Sequence, residues 1–181
     1  MSLAFDAMVF AREVHHAQRR KYTNNPYSDH LAEVAGIVAT VNNDPEMIAV
    51  AWLHDCVEDQ GVSLFDIEAR FGIRVALGVS GLSDIEQGNR ATRKALSRAR
   101  LAACAGWIQT IKCADLISNT SSIVMHDPVF ATTYLEEKRQ LLQVLTKADP
   151  RLHALATAAV ATGASQRPAA MNGIDHGPRL L

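Results

Sequence analysis

The sequence predicts an all-α protein, a helical bundle of seven to nine helices. Apolar residues recur every three or four positions along most of the chain, capping residues with Pro and Gly divide this pattern into segments of helical length, and no segment has the clear alternation of a β-strand. Hydrophobic residues make up 48% of the 181 residues, enough for a sizeable core. We expect one domain over residues 1–162 and a mobile C-terminal tail over residues 163–181, where Gly, Pro, Ser and Ala dominate without periodicity.

The N-terminal part divides into three predicted helices because polar and Pro-containing segments interrupt its apolar periodicity. His30 falls in the first turn of the second helix. Asp44 is placed to cap the third helix, and Pro45 suits its first helical position. These helices are predicted over residues 3–18, 29–41 and 45–59.

The remaining helices follow from the same signals. Ser63 is a predicted N-cap with Asp66 at the capping-box position. Residues 75–82 fit a strand or a helix, and their spacing and helical neighbours favour a helix. The other predicted helices are an Arg-rich segment beginning at residue 90, an apolar segment over residues 107–117, one that Asp127-Pro128 opens, and a last helix of about a dozen residues that Asp149-Pro150 opens.

Composition and charge exclude several classes of protein. A net charge of −1 argues against a protein that binds long nucleic acid, since this usually needs a strongly basic face. The three cysteines form no C-x-x-C pair, which fits a reducing compartment better than a disulfide framework. No long apolar run could span a bilayer, and the N-terminus lacks a signal-peptide layout. We therefore expect a cytoplasmic protein that does not bind membranes.

An imidazole and three carboxylates follow an apolar run between residues 54 and 59. In a continuous helix, His54 and Asp55 would share a face with residues four positions on. Alone, such a pair is more often an exposed acidic helix end. Beside apolar residues, however, clustered carboxylates are costly unless a cation neutralises them or water reaches them. A metal site in a cleft meets both conditions.

Two imidazoles and two carboxylates from three helices, namely His30, His54, Asp55 and Asp115, can hold one divalent ion. Asp115 interrupts an apolar segment, where a lone Asp is usually paired or bound to a metal. Nitrogen and oxygen ligands suit Mn²⁺, Fe²⁺ or Zn²⁺. Such an ion polarises a phosphoryl oxygen and lowers the pKa of bound water, so the pattern predicts hydrolysis of a phosphoric ester or anhydride.

Further charged residues fit this chemistry. Glu58 and Asp59 come one turn after two of the candidate ligands and could orient or deprotonate the attacking water, or support the histidines structurally. Arg20 and Lys21 could clamp phosphate groups, although cations at a helix end are often only solvated. The cations of the Arg-rich segment are interpreted mainly as a solvated face.

Several motifs together resemble the HD-type hydrolase domain of the RelA/SpoT alarmone enzymes. Since no synthetase domain follows in this sequence, the chain resembles most their free-standing small alarmone hydrolases. The likeness runs from about residue 4 to 147. It is carried by Arg20-Lys21, Pro26-Tyr27-x-x-His30, Leu53-His54-Asp55-x-x-Glu58-Asp59, Phe71-Gly72 and Lys112-x-Ala114-Asp115-x-x-x-Asn119.

The resemblance implies a single HD-type, metal-dependent phosphohydrolase domain that uses Mn²⁺ to remove the 3′-pyrophosphate from ppGpp or pppGpp. The implied metal ligands are His30, His54, Asp55 and Asp115. The implied catalytic pair is Glu58 and Asp59, and the implied substrate-binding residues are Arg20, Lys21, Asn119 and Tyr134. Departures from the family pattern are Leu31 for a proline, Cys113 for a leucine, and the segment at residues 88–90.

Two alternative functions stay open at this stage. The same chemistry could act on an adenosine alarmone, NADPH or a nucleoside monophosphate. A nucleotide-binding module without hydrolysis is the other alternative, although such domains are expected to lose a ligand or an acid and none is lost here. The expected partner is a small-molecule nucleotide. A homo-oligomer is compatible with the number of apolar helices, but no interface is indicated.

Overall fold

The computed structural model describes residues 2–165, and this part of the chain is built from ten helices. The predicted all-α class is confirmed, with one helix more than the upper estimate. The β-structure within these residues is a single antiparallel bridge between Arg19 and Pro26. The helices are α1 Leu3–Val14, α2 Tyr27–Ala39, α3 Pro45–Leu53, α4 Cys56–Gln60, α5 Leu64–Phe71, α6 Ile73–Leu82, α7 Arg90–Ala103, α8 Gly106–His126, α9 Pro128–Leu142 and α10 Pro150–Ser165.

The additional helix arises because the predicted helix over residues 45–59 is in fact two helices. α3 ends at Leu53 and α4 begins at Cys56, with a turn at His54 and Asp55 between them. Asp55 has φ −100° and ψ −3°, away from the usual helical values. The prediction of one continuous helix was wrong because long-range contacts of these two side chains, described below, outweigh local helix propensity.

The predicted helix starts agree with the local hydrogen bonds. The Asp44 carboxylate accepts the Glu46 N–H at 3.0 Å, and Pro45 occupies the first turn. The Ser63 hydroxyl accepts the Asp66 N–H at 3.0 Å and donates to the Asp66 carboxylate at 2.6 Å. These caps involve residues two or three positions apart, so the sequence alone is sufficient to predict them.

The end of α1 was predicted less well. α1 ends at Val14 instead of continuing to residue 18, and a turn-rich loop leads to α2. Within this loop Asn24 has a positive φ of 58°, a conformation that Asn tolerates. The loop places residues 18–22 beside α4 and α8, where they contact the candidate site.

The core lies around α3 and α8, against which α1, α2, α6, α9 and α10 pack. Five of the nine residues of α3 are buried, and α8 buries ten of its residues along 21 positions. α6 approaches closely at Gly78, where a Cβ atom would lie 2.5 Å from Trp107 and 2.7 Å from Val50. Only glycine therefore permits this helix contact without a shift of its neighbours.

The C-terminal helix is longer than predicted. α10 runs to Ser165, three residues past the predicted domain boundary at residue 162, and Gly163 is buried against Val124 and Leu135. The rest of the predicted tail, residues 166–181, lies outside the described residues. None of the described helices combines the length and the apolar character that a bilayer span needs.

Candidate metal centre and nucleotide cavity

The four predicted metal ligands converge from three regions of the fold. His30 lies on α2, Asp115 on α8, and His54 and Asp55 at the turn between α3 and α4. Asp55 Oδ2 is 3.6 Å from His30 Nε2 and 3.0 Å from His54 Nε2. Asp115 Oδ1 is 3.4 Å from His30 Nε2 and 3.9 Å from His54 Nε2. The break between α3 and α4 thus lets the adjacent residues His54 and Asp55 both point to the place where side chains from α2 and α8 converge.

Both imidazoles point the same ring atom toward the carboxylates. His54 Nδ1 lies 2.8 Å from the Ala51 carbonyl, which can only accept, so Nδ1 carries the proton. His30 Nδ1 lies 2.8 Å from the Ser118 hydroxyl. The two Nε2 atoms are buried and make no hydrogen bond within residues 2–165. Buried polar atoms normally have partners, so these two are suited to bind a cation.

The donor set fits a divalent metal. Ligand atoms of His30, His54 and Asp115 all lie within 4.8 Å of one another, and Asp55 adds a second carboxylate at the same point. No cysteine belongs to the group, and Cys56, Cys104 and Cys113 are free. Neutral imidazole nitrogen and carboxylate oxygen suit Mn²⁺, Fe²⁺ and Zn²⁺ alike.

The electrostatics of the centre are dominated by its carboxylates. Burial disfavours ionisation of Asp115, but the Lys112 ammonium 2.8 Å away and the two imidazoles hold the pKa of Asp115 well below its usual range. The pKa of Asp55 is likewise held well below its usual range by His54 and His30, against the effect of burial. Burial lowers the pKa of His54, yet the adjacent Asp55 carboxylate raises it to about 9. The centre therefore has strong affinity for positive charge, which a proton or a metal ion can supply.

The predicted catalytic pair lies on α4, directly after the turn at His54 and Asp55. The Glu58 carboxylate accepts the backbone N–H of Asp84 at 2.7 Å, and burial raises the pKa of Glu58. The Asp59 carboxylate accepts a hydrogen bond from the Gln18 carboxamide at 2.8 Å. The two acids therefore bond to different neighbours, Glu58 to the segment after α6 and Asp59 to the loop before α2.

Three of the predicted substrate-binding residues line a cavity of about 230 Å³ beside the centre. Arg20, Lys21 and Asn119 contribute to its wall, together with Ser122 and the aromatic and apolar groups of Tyr22, Tyr27, Ile123 and Phe130. Arg20 Nη1 donates to Asn119 Oδ1 at 3.1 Å, and Asn119 Nδ2 donates to Asp115 Oδ1 at 2.6 Å. The cavity is thereby connected to a candidate metal ligand, and it combines fixed positive charge with aromatic surface.

Tyr134 does not reach this cavity. Its side chain is buried, its hydroxyl lies 3.4 Å from the Thr120 hydroxyl, and its ring centroid is 6.2 Å from that of Phe130. Phe130 lies in the wall of the cavity, and Tyr134 is not among the lining residues. A direct role of Tyr134 in nucleotide binding stays a prediction with no geometric support here.

The Arg-rich helix α7 is tied to its neighbours by ion pairs and is not simply a solvated face. Arg90 pairs with Glu137 at 2.7 Å, and Lys94 pairs with Asp84 at 2.7 Å. Arg100 also pairs with Asp84, at 2.8 Å. The Lys112 ammonium, followed by Lys94 and a hydrogen bond from Ser97, holds the pKa of Asp84 well below its usual range against the effect of burial.

Four site residues were missed by the sequence analysis. The Tyr27 hydroxyl donates to Asp55 Oδ2 at 2.7 Å, and Gln18 holds Asp59. Ser118 contacts His30, and Asp84 contacts Glu58. Tyr27 lies within one of the motifs that carry the family resemblance, so its position was a usable signal. A serine or glutamine at a single position carries no comparable signal, because Gln18 lies 41 residues from Asp59 and Ser118 lies 88 residues from His30.

These features coincide with a match to a known family. The HD domain matches residues 7–106, more than half of the chain, and the protein belongs to the HD-domain family. Membership of this family implies a divalent metal. The His and Asp residues described above form a candidate site for it.

The matches to curated relatives span only about a tenth of each relative's length. A Synechocystis protein called probable guanosine-3′,5′-bis(diphosphate) 3′-pyrophosphohydrolase is 41% identical over 83 residues, which are 46% of this chain and 11% of that protein. An Aquifex aeolicus protein called guanosine-3′,5′-bis(diphosphate) 3′-pyrophosphohydrolase is 43% identical over 79 residues, 44% of this chain and 11% of that protein. The predicted resemblance to RelA/SpoT hydrolase domains is confirmed by these relatives.

Solved structures share the fold over 80% to 90% of this chain. One, described as a metazoan ortholog of SpoT that hydrolyzes ppGpp and plays a role in starvation responses, has a TM-score of 0.82 and 24% identity, covering 90% of this chain and 96% of that one. A protein from Listeria monocytogenes has a TM-score of 0.66 and 21% identity, covering 80% of this chain and 99% of that one. These structures establish the helical HD-domain architecture.

Proposed function

We propose that this protein hydrolyses the 3′-pyrophosphate of ppGpp or pppGpp with the help of Mn²⁺, giving GDP or GTP and pyrophosphate. The observation that carries the proposal is that two imidazole Nε2 atoms and two carboxylates converge at one point. This point lies beside a cavity lined by Arg20, Lys21 and Asn119. The names of the relatives support a guanosine tetraphosphate substrate.

His30, His54, Asp55 and Asp115 would hold the metal through the atoms that already face one another. When bound there, a divalent ion supplies Lewis-acid activation of water and of a phosphoryl oxygen. Arg20 and Lys21 bring fixed positive charge to the phosphates, and the aromatic groups of the cavity offer a surface for the base.

In the reaction, a water oxygen forms a bond to phosphorus and the bond from phosphorus to the ribose 3′ oxygen breaks. The Asp59 carboxylate, which accepts a hydrogen bond from Gln18, takes the proton from water. Glu58, whose pKa burial raises, supplies a proton to the leaving 3′ oxygen. Two acids on one short helix thus take complementary roles because their surroundings differ.

Mn²⁺ is proposed over Fe²⁺ and Zn²⁺ on the basis of the family resemblance, since the donor set alone accommodates all three. We further propose action in the cytoplasm, which the three free cysteines support. A homo-oligomer stays a prediction.

The test is a panel of phosphorylated nucleotides with the Mn²⁺-loaded protein. Pyrophosphate release from ppGpp should exceed turnover of adenosine alarmones, NADPH and nucleoside monophosphates in kcat/KM by orders of magnitude. Glu58→Gln and Asp59→Asn should each lower kcat about 10²- to 10⁴-fold while the metal stays bound. Another nucleotide leading the panel, or metal-dependent binding of ppGpp without turnover, would contradict the proposal and favour one of the two alternative functions.

A further inference from the structure

A hydrogen-bonded chain leads from His30 away from the metal centre. Ser118 Oγ lies 2.8 Å from His30 Nδ1 and donates to Glu33 Oε2 at 2.7 Å. His30 and Ser118 are buried, at 1% and 3% relative exposure, whereas Glu33 lies on the exposed side of α2. The three side chains line a polar cleft of about 200 Å³.

The contacts of Ser118 differ from those of the two threonines on α8. Thr110 and Thr120 donate to the carbonyl groups of Gly106 and Leu116, four residues back, at 2.8 and 2.7 Å. This is the usual choice for a hydroxyl inside a helix. Ser118 instead spans from α8 to two side chains of α2, so its orientation is set by the tertiary structure.

The directions of these hydrogen bonds determine the tautomer of His30. A serine hydroxyl has one proton, and an ionised carboxylate can only accept, so the proton of Ser118 lies toward Glu33. The Ser118 oxygen must then accept from His30, which places the imidazole proton on Nδ1. The Nε2 lone pair is left free and faces Asp55 and Asp115, at 3.6 and 3.4 Å.

Without this chain the other tautomer would be favoured. A hydroxyl released from Glu33 can rotate and donate to Nδ1, and the imidazole proton then moves to Nε2. There it would find two carboxylate acceptors within hydrogen-bonding reach after a small movement. An Nε2–H group cannot bind a metal, so this tautomer competes directly with the ion. His54 has no such ambiguity, because its Nδ1 partner is a backbone carbonyl.

We propose that Ser118 and Glu33 are positioning residues that hold His30 in the Nδ1–H tautomer and thereby set the metal affinity of the centre. The inference rests on the metal centre of the proposed function and is independent of the nucleotide that is hydrolysed. Neither residue contacts the proposed substrate cavity. We expect their effect on the reaction to pass through His30, which Ser118 contacts directly.

The first experiment measures metal affinity by calorimetric titration of the metal-free protein with Mn²⁺, and separately with Zn²⁺. Loss of a second partner of a metal-binding histidine typically lowers affinity about 10- to 100-fold, and we expect this range for Ser118→Ala. Glu33→Ala should lower the metal affinity less than Ser118→Ala does, because the Ser118 oxygen can still accept a hydrogen bond from His30 Nδ1. Ser118→Thr keeps the hydroxyl and should restore most of the affinity.

Thr120→Val is the matched control, since it also removes a buried hydroxyl from α8 but one that does not contact His30. It should change metal affinity less than twofold. Thermal unfolding of each metal-free variant verifies that the fold is retained. Equal losses of affinity in Ser118→Ala and Thr120→Val would overturn the proposal, as would wild-type affinity in Ser118→Ala.

The second experiment observes the hydrogen bond directly by NMR of the Zn²⁺-loaded protein. The Nδ1–H protons of His30 and His54 should both exchange slowly with solvent. Ser118→Ala should accelerate exchange at His30 alone, with His54 as an internal reference. Unchanged exchange at His30 would overturn the proposal. Failure to hydrolyse ppGpp with metal bound would contradict the proposed function. It would not change the expected order of metal affinities among the Ser118 and Glu33 variants.

Discussion

The Gln18 carboxamide donates to Asp59 Oδ2 at 2.8 Å, and its oxygen accepts from Gln60 Nε2 at 2.6 Å and from the His15 ring. Because the oxygen has two donors, the amide nitrogen must point to Asp59. A loop residue 41 positions away in sequence therefore orients one of the two proposed catalytic acids.

Replacing Gln18 should slow turnover without abolishing substrate binding. We expect Gln18→Ala to lower kcat about tenfold, since the Asp59 carboxylate loses its orientation, with a much smaller change in KM. Steady-state kinetics with ppGpp measures both values. Gln140→Ala serves as a control, because within residues 2–165 the Gln140 carboxamide bonds to Glu136 alone, on the exposed face of α9. An unchanged kcat in Gln18→Ala would show that Asp59 needs no such support.

Removing the Tyr27 hydroxyl should weaken metal binding. This hydroxyl donates to Asp55 Oδ2 at 2.7 Å, while the ring stacks on His15 with a centroid distance of 5.2 Å. Tyr27→Phe keeps the ring and should lower Mn²⁺ affinity about tenfold in a calorimetric titration. Tyr22→Phe removes a hydroxyl that bonds to Asp127 and should leave Mn²⁺ affinity unchanged. Equal effects of the two variants would contradict a specific role for Tyr27.

Metal binding should stabilise the fold. Free Mn²⁺ at 100 times its dissociation constant should raise the free energy of unfolding by about 2.7 kcal/mol, if the unfolded chain does not bind it. The comparison is a thermal or urea unfolding curve with and without Mn²⁺. His54→Gln should remove the metal-dependent increase, because it deletes one of the two imidazole ligands. An increase of the same size in His54→Gln would place the stabilising ion elsewhere.

Asp84 should make stability depend on pH in the acid range. Its pKa in the folded state lies far below the usual value of about 4, so its contribution is full above about pH 4 and is lost as pH falls through the lower folded pKa. Asp84→Asn should lower the free energy of unfolding by about 2 kcal/mol at pH 7, and by less as the pH approaches and passes below that folded pKa. Urea unfolding of the metal-free protein across this pH range measures the difference.

Glu136→Gln is the control, since it removes a carboxylate whose ion pair with Arg139 is exposed. If the loss of unfolding free energy in Asp84→Asn did not become smaller at low pH, Asp84 would stabilise the fold through packing and not through its charge.

Two glycines should respond oppositely to alanine. A Cβ at Gly78 would lie 2.5 Å from Trp107, so Gly78→Ala should destabilise the protein by about 2 kcal/mol through overpacking. At Gly36, inside α2, no atom lies within 4 Å of the added Cβ. Gly36→Ala should therefore stabilise by about 0.5–1 kcal/mol through helix propensity. Urea unfolding of both variants tests the pair, and a stable Gly78→Ala protein would show that α6 can move away from α8.

Where α1 ends was decided by contacts remote in sequence. Helical periodicity continues toward residue 18, yet α1 ends at Val14. Beyond it His15 is buried against Tyr27, and Gln18 bonds to α4. A pattern of apolar residues predicts that a helix forms, but the residue at which the chain leaves the helix depends on partners that only the folded protein supplies.

The sequence by itself determined the helical class, most helix starts and the identity of the four candidate ligands, because periodicity, caps and residue chemistry are local properties. Asp44, Ser63 and Asp127 cap their helices through neighbours two or three residues away. Only the tertiary structure decided the break at His54 and Asp55 and the partner of each imidazole, because those choices depend on side chains up to 88 residues apart.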